Sequence, residues 1–276
     1  MAPKFIHGLS DVFGLYDGFI LDLWGVVHDG VAPFPDTLQV LAALKKTRKK
    51  VWLLSNAPRR SWTVAAKLTE MGITPDLYNG ILTSGEMSWQ ALRDTLLAKW
   101  GKRCFHIGRA NDVSLYEGLD IELVKNPAQA DFVLNSGVED FSDPAEKYQP
   151  LLQTCILYHL PMLCANPDKA VHIEDKRVIC AGTLAGMYEE MDGSVVYFGK
   201  PHRSVYSHCL AAMGSRRVLA VGDSMLTDIE GATGAGLDSV LVLSGLHREE
   251  IIDSELEDFL AEYPFQPNYV MKSFVW

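Results

Sequence analysis

Five polar side chains stand where the sequence predicts that strands of a parallel sheet end, namely Asp22, Ser55, Lys200, Asp223 and Asp228. Asp22 interrupts the apolar run FILDLWGVV, and a carboxylate in such a strand is costly unless a cation or a reaction compensates for it. Carboxylate and hydroxyl oxygens, with no cluster of His and Cys, favour a hard cation such as Mg²⁺ over Zn²⁺. These residue types therefore predict a magnesium site that meets a substrate phosphate.

Phosphoryl transfer is the reaction that these side chains suit. An Asp can attack phosphorus and form an aspartyl phosphate, which water then hydrolyses. Asp22 is the candidate nucleophile because it lies deepest in an apolar strand. Lys200 supplies a point charge for a phosphoryl group or a developing charge. Ser55 and the backbone after it can donate hydrogen bonds to phosphate oxygens.

The elements that position these residues alternate between strands and helices. After the Asp22 strand, the pattern predicts a helix from Pro35, the strand VWLLSN, a helix over 61–71 and a strand near 81–83. Short connections between such elements indicate a parallel sheet with helices on its faces, whose carboxyl ends gather ligand-binding residues. Residues up to about Gly18 are predicted to be a surface leader, and the tail from His247 an acidic helix followed by an irregular segment.

A second α/β unit is predicted from about Cys104, where the short strands CFHIG, IELVK, DFVLNSG and PMLCAN follow one another. The chain then returns to the pattern of the first unit near residue 185. A helix over 204–213, the strand RVLAVGDS, a helix start at Thr227 and the strand DSVLVLSG complete the prediction.

Composition excludes several classes of partner. The chain carries 25 cationic and 35 acidic side chains, and this net charge of −10 argues against a nucleic-acid or anionic-membrane partner. Its five cysteines are scattered, odd in number and preceded by no signal-peptide pattern, which predicts reduced, mostly buried thiols in a cytoplasmic protein. The most apolar stretch, 155–165, is interrupted by His159 and Pro161 and is too short to cross a bilayer.

The stretches DLWGV, LLSN, FGKP and VGDSMLTDI resemble the four ordered motifs of the haloacid dehalogenase superfamily, and GDSMLTDIEGA is the most specific of them. TSGE, ANPD and GKPH resemble its class IIA branch, which includes sugar-phosphate, pyridoxal-phosphate and nitrophenyl phosphatases. The resemblance implies an α/β fold, with a Rossmann-like parallel-sheet core over 1–83 and 186–276. It also implies a smaller α/β cap of the C2 type inserted over 84–185, and a homodimer associated through the cap.

The resemblance also implies a role for each site residue. Asp22 would be nucleophile and Mg²⁺ ligand, and Lys200 would hold both Asp22 and the phosphoryl group. Ser55, helped by the backbone of Asn56, would bind phosphoryl oxygens. Asp22, the backbone carbonyl of Trp24 and Asp223 would bind the metal directly, and Asp228 would act from behind these ligands or through water.

Trp24 departs from the superfamily pattern. The phosphatases read Asp-x-Asp-Gly at the first motif, and the second Asp, which protonates the leaving group, is Trp24 in this chain. Loss of a general acid costs about 10²–10⁴-fold in rate, and less for an activated leaving group. His28, Asp29 and His202 are the candidates to replace it, although the two histidines also fit a solvated loop and a helix N-cap.

Three functions are compatible with these residues. The leading prediction is a Mg²⁺-dependent phosphatase of a small phosphorylated metabolite. Trp24 motivates the first alternative, a catalytically silent protein that binds a phosphometabolite or a partner. The second alternative is hydrolysis of a C–P or C–halogen bond, in which no leaving alkoxide needs a proton.

Overall fold

The strands and helices are described here for residues 3–173, 176–215, 217–247 and 256–276 of a computed structural model. The strands are β1 (Lys4–Phe5), β2 (Gly18–Asp22), β3 (Lys50–Ser55), β4 (Gly80–Thr83), β5 (Arg103–Ile107), β6 (Glu122–Leu123), β7 (Phe132–Asn135), β8 (Met162–Cys164), β9 (Ala170–Ile173), β10 (Lys176–Ile179), β11 (Val195–Tyr197), β12 (Val218–Gly222), β13 (Asp238–Val242) and β14 (Tyr269–Met271). The helices are α1 (Thr37–Lys46), α2 (Ser61–Glu70), α3 (Ser84–Ala91), α4 (Leu97–Trp100), α5 (Gln149–Leu157), α6 (Ala181–Glu190), α7 (Arg203–Met213), α8 (Glu230–Ala235) and α9 (Leu256–Ala261). Single 3₁₀ turns occupy Leu9–Asp11, Phe13–Leu15, Pro75–Leu77, Val113–Leu115, Pro127–Gln129 and Ala145–Tyr148, and π turns occupy Leu92–Leu96 and Met225–Ile229.

The chain divides into two compact units. The first comprises Met1–Ser55, Ala65–Leu82 and Lys200–Trp276, and the second comprises Asn56–Val64 and Thr83–Gly199. It places Asn56–Val64 with the second unit, whereas the prediction had all of 1–83 in the first. It also differs from the predicted division at the return, which lies after Gly199 and not after residue 185. The difference arises because β11 pairs with β8, and α6 packs on both strands, so residues 186–199 belong with the second unit.

A seven-stranded sheet forms the centre of the first unit, in the order β1-β14-β13-β12-β2-β3-β4. All five residues of β2 are buried, as expected for a strand covered on both faces. The parallel register aligns Asp22 with Leu54 of β3, and Leu21 with Val221 of β12. Ser55 and Asp223 therefore follow their strands at the edge of the sheet where Asp22 ends β2.

Both ends of the chain add to this sheet, which corrects two predictions. The first residues are not a surface leader, because β1 pairs in parallel with β14 and Leu9 is fully buried. The segment predicted to be irregular contains β14, which pairs with β13. The predicted acidic helix after His247 falls largely outside the described residues, which resume with α9.

A five-stranded parallel sheet, in the order β11-β8-β7-β5-β6, forms the second unit. Alternate residues of β7 point to opposite faces, so that Val133 packs with Tyr188 in one hydrophobic cluster and Phe132 packs with Leu92 in another. The antiparallel pair β9–β10 was not predicted from the sequence. This unit is thus a smaller α/β domain, with a parallel sheet and helices of its own.

The sequence predicted that its most apolar stretch is too short to cross a bilayer and that its cysteines are reduced and mostly buried. Within the described residues, none of the helices combines the length and the apolar character that crossing a bilayer requires. All five cysteines are buried free thiols, which confirms the prediction of buried, unpaired cysteines.

Candidate active site

Three carboxylates meet at the carboxyl ends of two adjacent central strands. Asp22 ends β2, Asp223 follows β12 directly, and Asp228 lies in the π turn Met225–Ile229 that comes next. Each offers a carboxylate oxygen, and these three oxygens lie within 4.8 Å of one another. All three side chains are buried, so the cluster has little access to the solvent that would stabilise its charge.

Lys200 joins two of these carboxylates. Its ammonium group donates to Oδ1 of Asp22 at 2.5 Å and to Oδ1 of Asp228 at 2.7 Å. The Lys200 side chain is only 4% exposed, so this contact is made away from bulk water. The structure therefore brings together Asp22, Lys200, Asp223 and Asp228, which lie up to 206 positions apart in the sequence.

Glycines allow the backbone to approach Asp223 closely, and sequence reasoning did not assign them. A Cβ atom would lie 2.0 Å from Oδ2 of Asp223 at Gly25, where φ is +82°, and 2.1 Å from it at Gly245. The backbone N–H of Leu246 donates to the same oxygen at 2.6 Å. The signal for Gly245 was the Ser-Gly that ends the apolar run DSVLVLSG, the same kind of strand end as the others.

The charge of the cluster favours a divalent cation. When all three are ionised, the carboxylates exceed the ammonium of Lys200 by two charges in a buried site. Burial raises the pKa of the Asp22 carboxyl well above its ordinary value, and the negative charges of Asp228 and Asp223 add to this effect while Lys200 opposes it. Oxygen donors with this charge fit a hard divalent ion, so these residues could hold a metal.

Ser55 and Asn56 end the neighbouring strand. Ser55 is the last residue of β3 and is buried beside the end of β2. Asn56 begins the second unit, and its side-chain Nδ2 donates to Oδ1 of Asp168 at 2.8 Å. The Asn56 side chain is thus held by the ANPD loop.

The loop after β2 accommodates the indole of Trp24. This ring is half-buried and stands edge-to-face against the His28 ring, with centroids 5.6 Å apart. It also fills the space above Gly30, where a Cβ would lie 2.2 Å from the indole. The N–H of Gly25 donates to the His28 carbonyl at 2.9 Å, which closes the loop. The indole is therefore packed on its own loop.

Comparisons with known proteins agree with this geometry. A family model described as haloacid dehalogenase-like hydrolase matches residues 19–122, and one described as HAD-hydrolase-like matches residues 197–276. A solved hydrolase of the haloacid dehalogenase-like family from Brucella suis 1330 is 31% identical, covers 98% of this chain and 100% of its own, and superposes with a TM-score of 0.86. The chain belongs to the haloacid dehalogenase-like hydrolase family.

Relatives with printed activities are phosphatases. Ribonucleotide monophosphatase NagD of Escherichia coli K12 is 27% identical over 92% of this chain and 95% of its own length. A glycerol phosphate phosphatase of Mycobacterium tuberculosis, solved in complex with magnesium, shares the fold with a TM-score of 0.69 at 24% identity, covering 93% of this chain and 74% of its own. These similarities place this haloacid dehalogenase-like hydrolase in the class IIA branch.

Two of the three candidates for a general acid, His28 and Asp29, are in their basic forms at neutral pH. Burial lowers the pKa of His28 to about 4, so its imidazole is neutral at pH 7, and Nδ1 accepts the Gly30 N–H at 2.9 Å. Asp29 is exposed and its Oδ1 accepts the N–H groups of Val31 and Ala32, which lower its carboxyl pKa. His202 is an exposed residue at the N-cap of α7.

We expect the His28→Asn variant to lose less stability in acid than the wild type. The folded-state pKa of about 4 lies below the ordinary 6.5, so the unfolded chain binds the proton first and stability falls as pH drops from 6.5 toward 4. Over this range, the free energy of unfolding of the wild type should fall by up to about 3 kcal/mol more than that of the variant. Urea unfolding at pH 7.5 and pH 4.5 measures the difference.

His208→Asn is the matched control, because His208 is exposed on α7. Its free energy of unfolding should change between pH 7.5 and pH 4.5 by the same amount as that of the wild type. An equal pH dependence in His28→Asn and wild type would show that the His28 imidazole gains its proton as readily in the folded protein as in the unfolded chain.

Proposed function

We propose that this chain is a Mg²⁺-dependent phosphatase of small phosphorylated metabolites that works through an aspartyl phosphate on Asp22. The observation that carries the proposal is the buried Asp22 carboxylate, which Lys200 binds at the end of a central strand, beside the strand that Ser55 ends. A nucleophile, a cation and a phosphate-binding hydroxyl are the parts that phosphoryl transfer requires. The named activities of the relatives support this choice.

In the proposed reaction, a carboxylate oxygen of Asp22 attacks phosphorus and the bond from phosphorus to the leaving oxygen breaks. Lys200 fixes the Asp22 carboxylate through Oδ1 and offers positive charge to the transferred group. Ser55 and the Asn56 backbone N–H would donate to phosphoryl oxygens. Water then hydrolyses the aspartyl phosphate, which releases inorganic phosphate and restores Asp22.

Asp22, Asp223 and the Trp24 carbonyl would hold the cation, and Asp228 would support it from behind these ligands or through water. Asp223 is already fixed by the Leu246 N–H and by the close approach of Gly25 and Gly245, so its carboxylate is pre-oriented. When bound, Mg²⁺ offsets the cluster's negative charge and that of the phosphoryl oxygens. The pairing of Lys200 with both Asp22 and Asp228 keeps these two side chains in place.

Trp24 shapes the substrate class of this phosphatase. Neither His28 nor Asp29 supplies a proton at neutral pH, so the leaving oxygen receives little help from this loop. We therefore infer a preference for phosphate esters with a weakly basic leaving group, for which protonation contributes least. Because its indole replaces the usual acid, Trp24 also motivates the second candidate, a catalytically silent protein that binds a phosphometabolite.

A screen of phosphate esters with and without Mg²⁺ tests the proposal. Nitrophenyl phosphate should be turned over only with the metal, and alkyl phosphates should be turned over more slowly. Thermal stabilisation by phosphate compounds without release of phosphate would instead identify a binding protein. Phosphate release from phosphonates but not from esters would identify C–P bond hydrolysis.

A further inference from the structure

A basic cavity lies in the first unit, away from the carboxylate cluster. It has a volume of about 400 Å³ and is lined by Lys45, Arg48, Lys49, Lys50, Asp76, Leu77, Tyr78 and Asn79. Lys50 begins β3 and Ser55 ends it, so the cavity and the proposed active site lie at opposite ends of one strand. Five residues of extended strand separate them by roughly 17 Å.

The segment that lines this cavity is much more basic than the rest of the chain. The segment KKTRKK, residues 45–50, holds five of the 25 cationic side chains, which leaves 20 cations against 35 acids elsewhere. A cavity lined by four cationic side chains against one acidic side chain raises the local concentration of anions. An anion approaching this acidic protein is therefore directed to the segment.

The end of α1 does not need these cations for its own carbonyl groups. The N–H of Thr47 donates to the Ala43 carbonyl at 3.0 Å, and the N–H of Lys49 donates to the Leu44 carbonyl at 3.0 Å. The Thr47 hydroxyl donates to the same two carbonyls. Backbone and hydroxyl donors thus close the helix, which leaves the basic side chains without a capping role there.

Two of the four lining cations are available to a ligand. Lys49 donates to the Tyr16 carbonyl at 2.5 Å, and Lys50 donates to the Met213 carbonyl, so both are held by the protein. Lys45 pairs with Asp76, but both side chains are more than half exposed, and such pairs exchange partners readily. The exposed Arg48 guanidinium has no ion pair within the described part of the chain.

We propose that this cavity binds a small phosphorylated molecule, with phosphate oxygens held by Lys45 and Arg48. The volume suits a small ligand, and a guanidinium beside an ammonium is a favourable pair of donors for phosphate. Asp76 opposes binding, because the ligand must break the ion pair between Lys45 and Asp76. The site is separate from the proposed active site and does not depend on turnover there.

Calorimetric titration of inorganic pyrophosphate tests the site. We expect the double variant Lys45→Gln/Arg48→Gln to weaken its binding at least about tenfold, since two charged hydrogen bonds are lost. Asp76→Asn should tighten binding, because Lys45 is then released. Phosphatase turnover should be unchanged in both variants, which separates this site from the catalytic one.

Lys46→Gln is the matched control, because Lys46 belongs to the same basic segment but does not line the cavity. It should bind pyrophosphate within about twofold of the wild type, since exposed charges beyond the contact contribute little. Equal affinity in the double variant and the wild type would overturn the proposal. An equal loss in Lys46→Gln would also overturn it, by showing a diffuse field and no defined site.

Discussion

Replacement of Asp22 by Asn should abolish phosphatase turnover, lowering kcat on the order of 10⁴–10⁶-fold. Asn keeps the size of the side chain and can still accept from Lys200, but its neutral amide oxygen cannot form the aspartyl phosphate. The buried cluster of Asp22, Asp223 and Asp228 should survive in shape, because Lys200 still contacts Asp228. Release of phosphate from nitrophenyl phosphate with Mg²⁺ measures the loss.

Asp29→Asn provides the control for this prediction. Asp29 lies seven residues further along, is exposed, and accepts backbone N–H groups of its own loop. Its replacement should leave kcat within severalfold of the wild type. Turnover that persists in Asp22→Asn would exclude Asp22 as the nucleophile, and acid quenching of the wild type should trap a phosphorylated protein that the variant lacks.

Trp24→Asp should raise the turnover of alkyl phosphates by about 10²–10⁴-fold, the range expected for a general acid. The acid would stand two residues after the nucleophile, in a loop where His28 is neutral and Asp29 is engaged by backbone donors. Nitrophenyl phosphate should gain much less, because its leaving group needs no proton. The ratio of kcat for the two esters is therefore the informative measurement.

Trp24→Asn separates the acid from the change in volume. Both variants remove an indole that packs on Gly30 and His28, so both should lose some thermal stability to a similar extent. Only the Asp variant gains a proton donor. An equal gain in the two variants would show that the indole limits access to Asp22, and no gain in either would show that another acid already serves.

The candidate site was largely predictable because its residues end strands with strong local signals. Asp22 and Asp223 each follow a run of apolar residues, and such runs are recognised from composition alone. The convergence of those strand ends follows from parallel pairing, which the alternating pattern of strands and helices indicates. The glycines beside Asp223 were missed because their importance depends on which loops meet, and no local pattern encodes that.

The parts of the fold that were missed have short strands or distant partners. β1 contains two residues and pairs with β14 from the other end of the chain, so periodicity gives almost no signal for it. The π turn that carries Asp228 begins at Met225, two residues before the predicted helix start, because the turn type depends on packing beside β12. The prediction ended the second unit too early, because the sequence of α6 does not show which of the two units this helix packs in.

The pairing of β2 with β12 has a consequence for how the protein forms during synthesis. Gly18 lies opposite Val218, so about 200 further residues must be synthesised after β2 before it can pair with β12. Pairing between strands so far apart in the chain has a high entropic cost of loop closure, and this cost slows folding. Until then, Asp22 has neither Lys200 nor Asp223 beside it, and the nascent chain holds a strand with one side unpaired. The carboxylate cluster can therefore be assembled only after residues 200–228 have been synthesised.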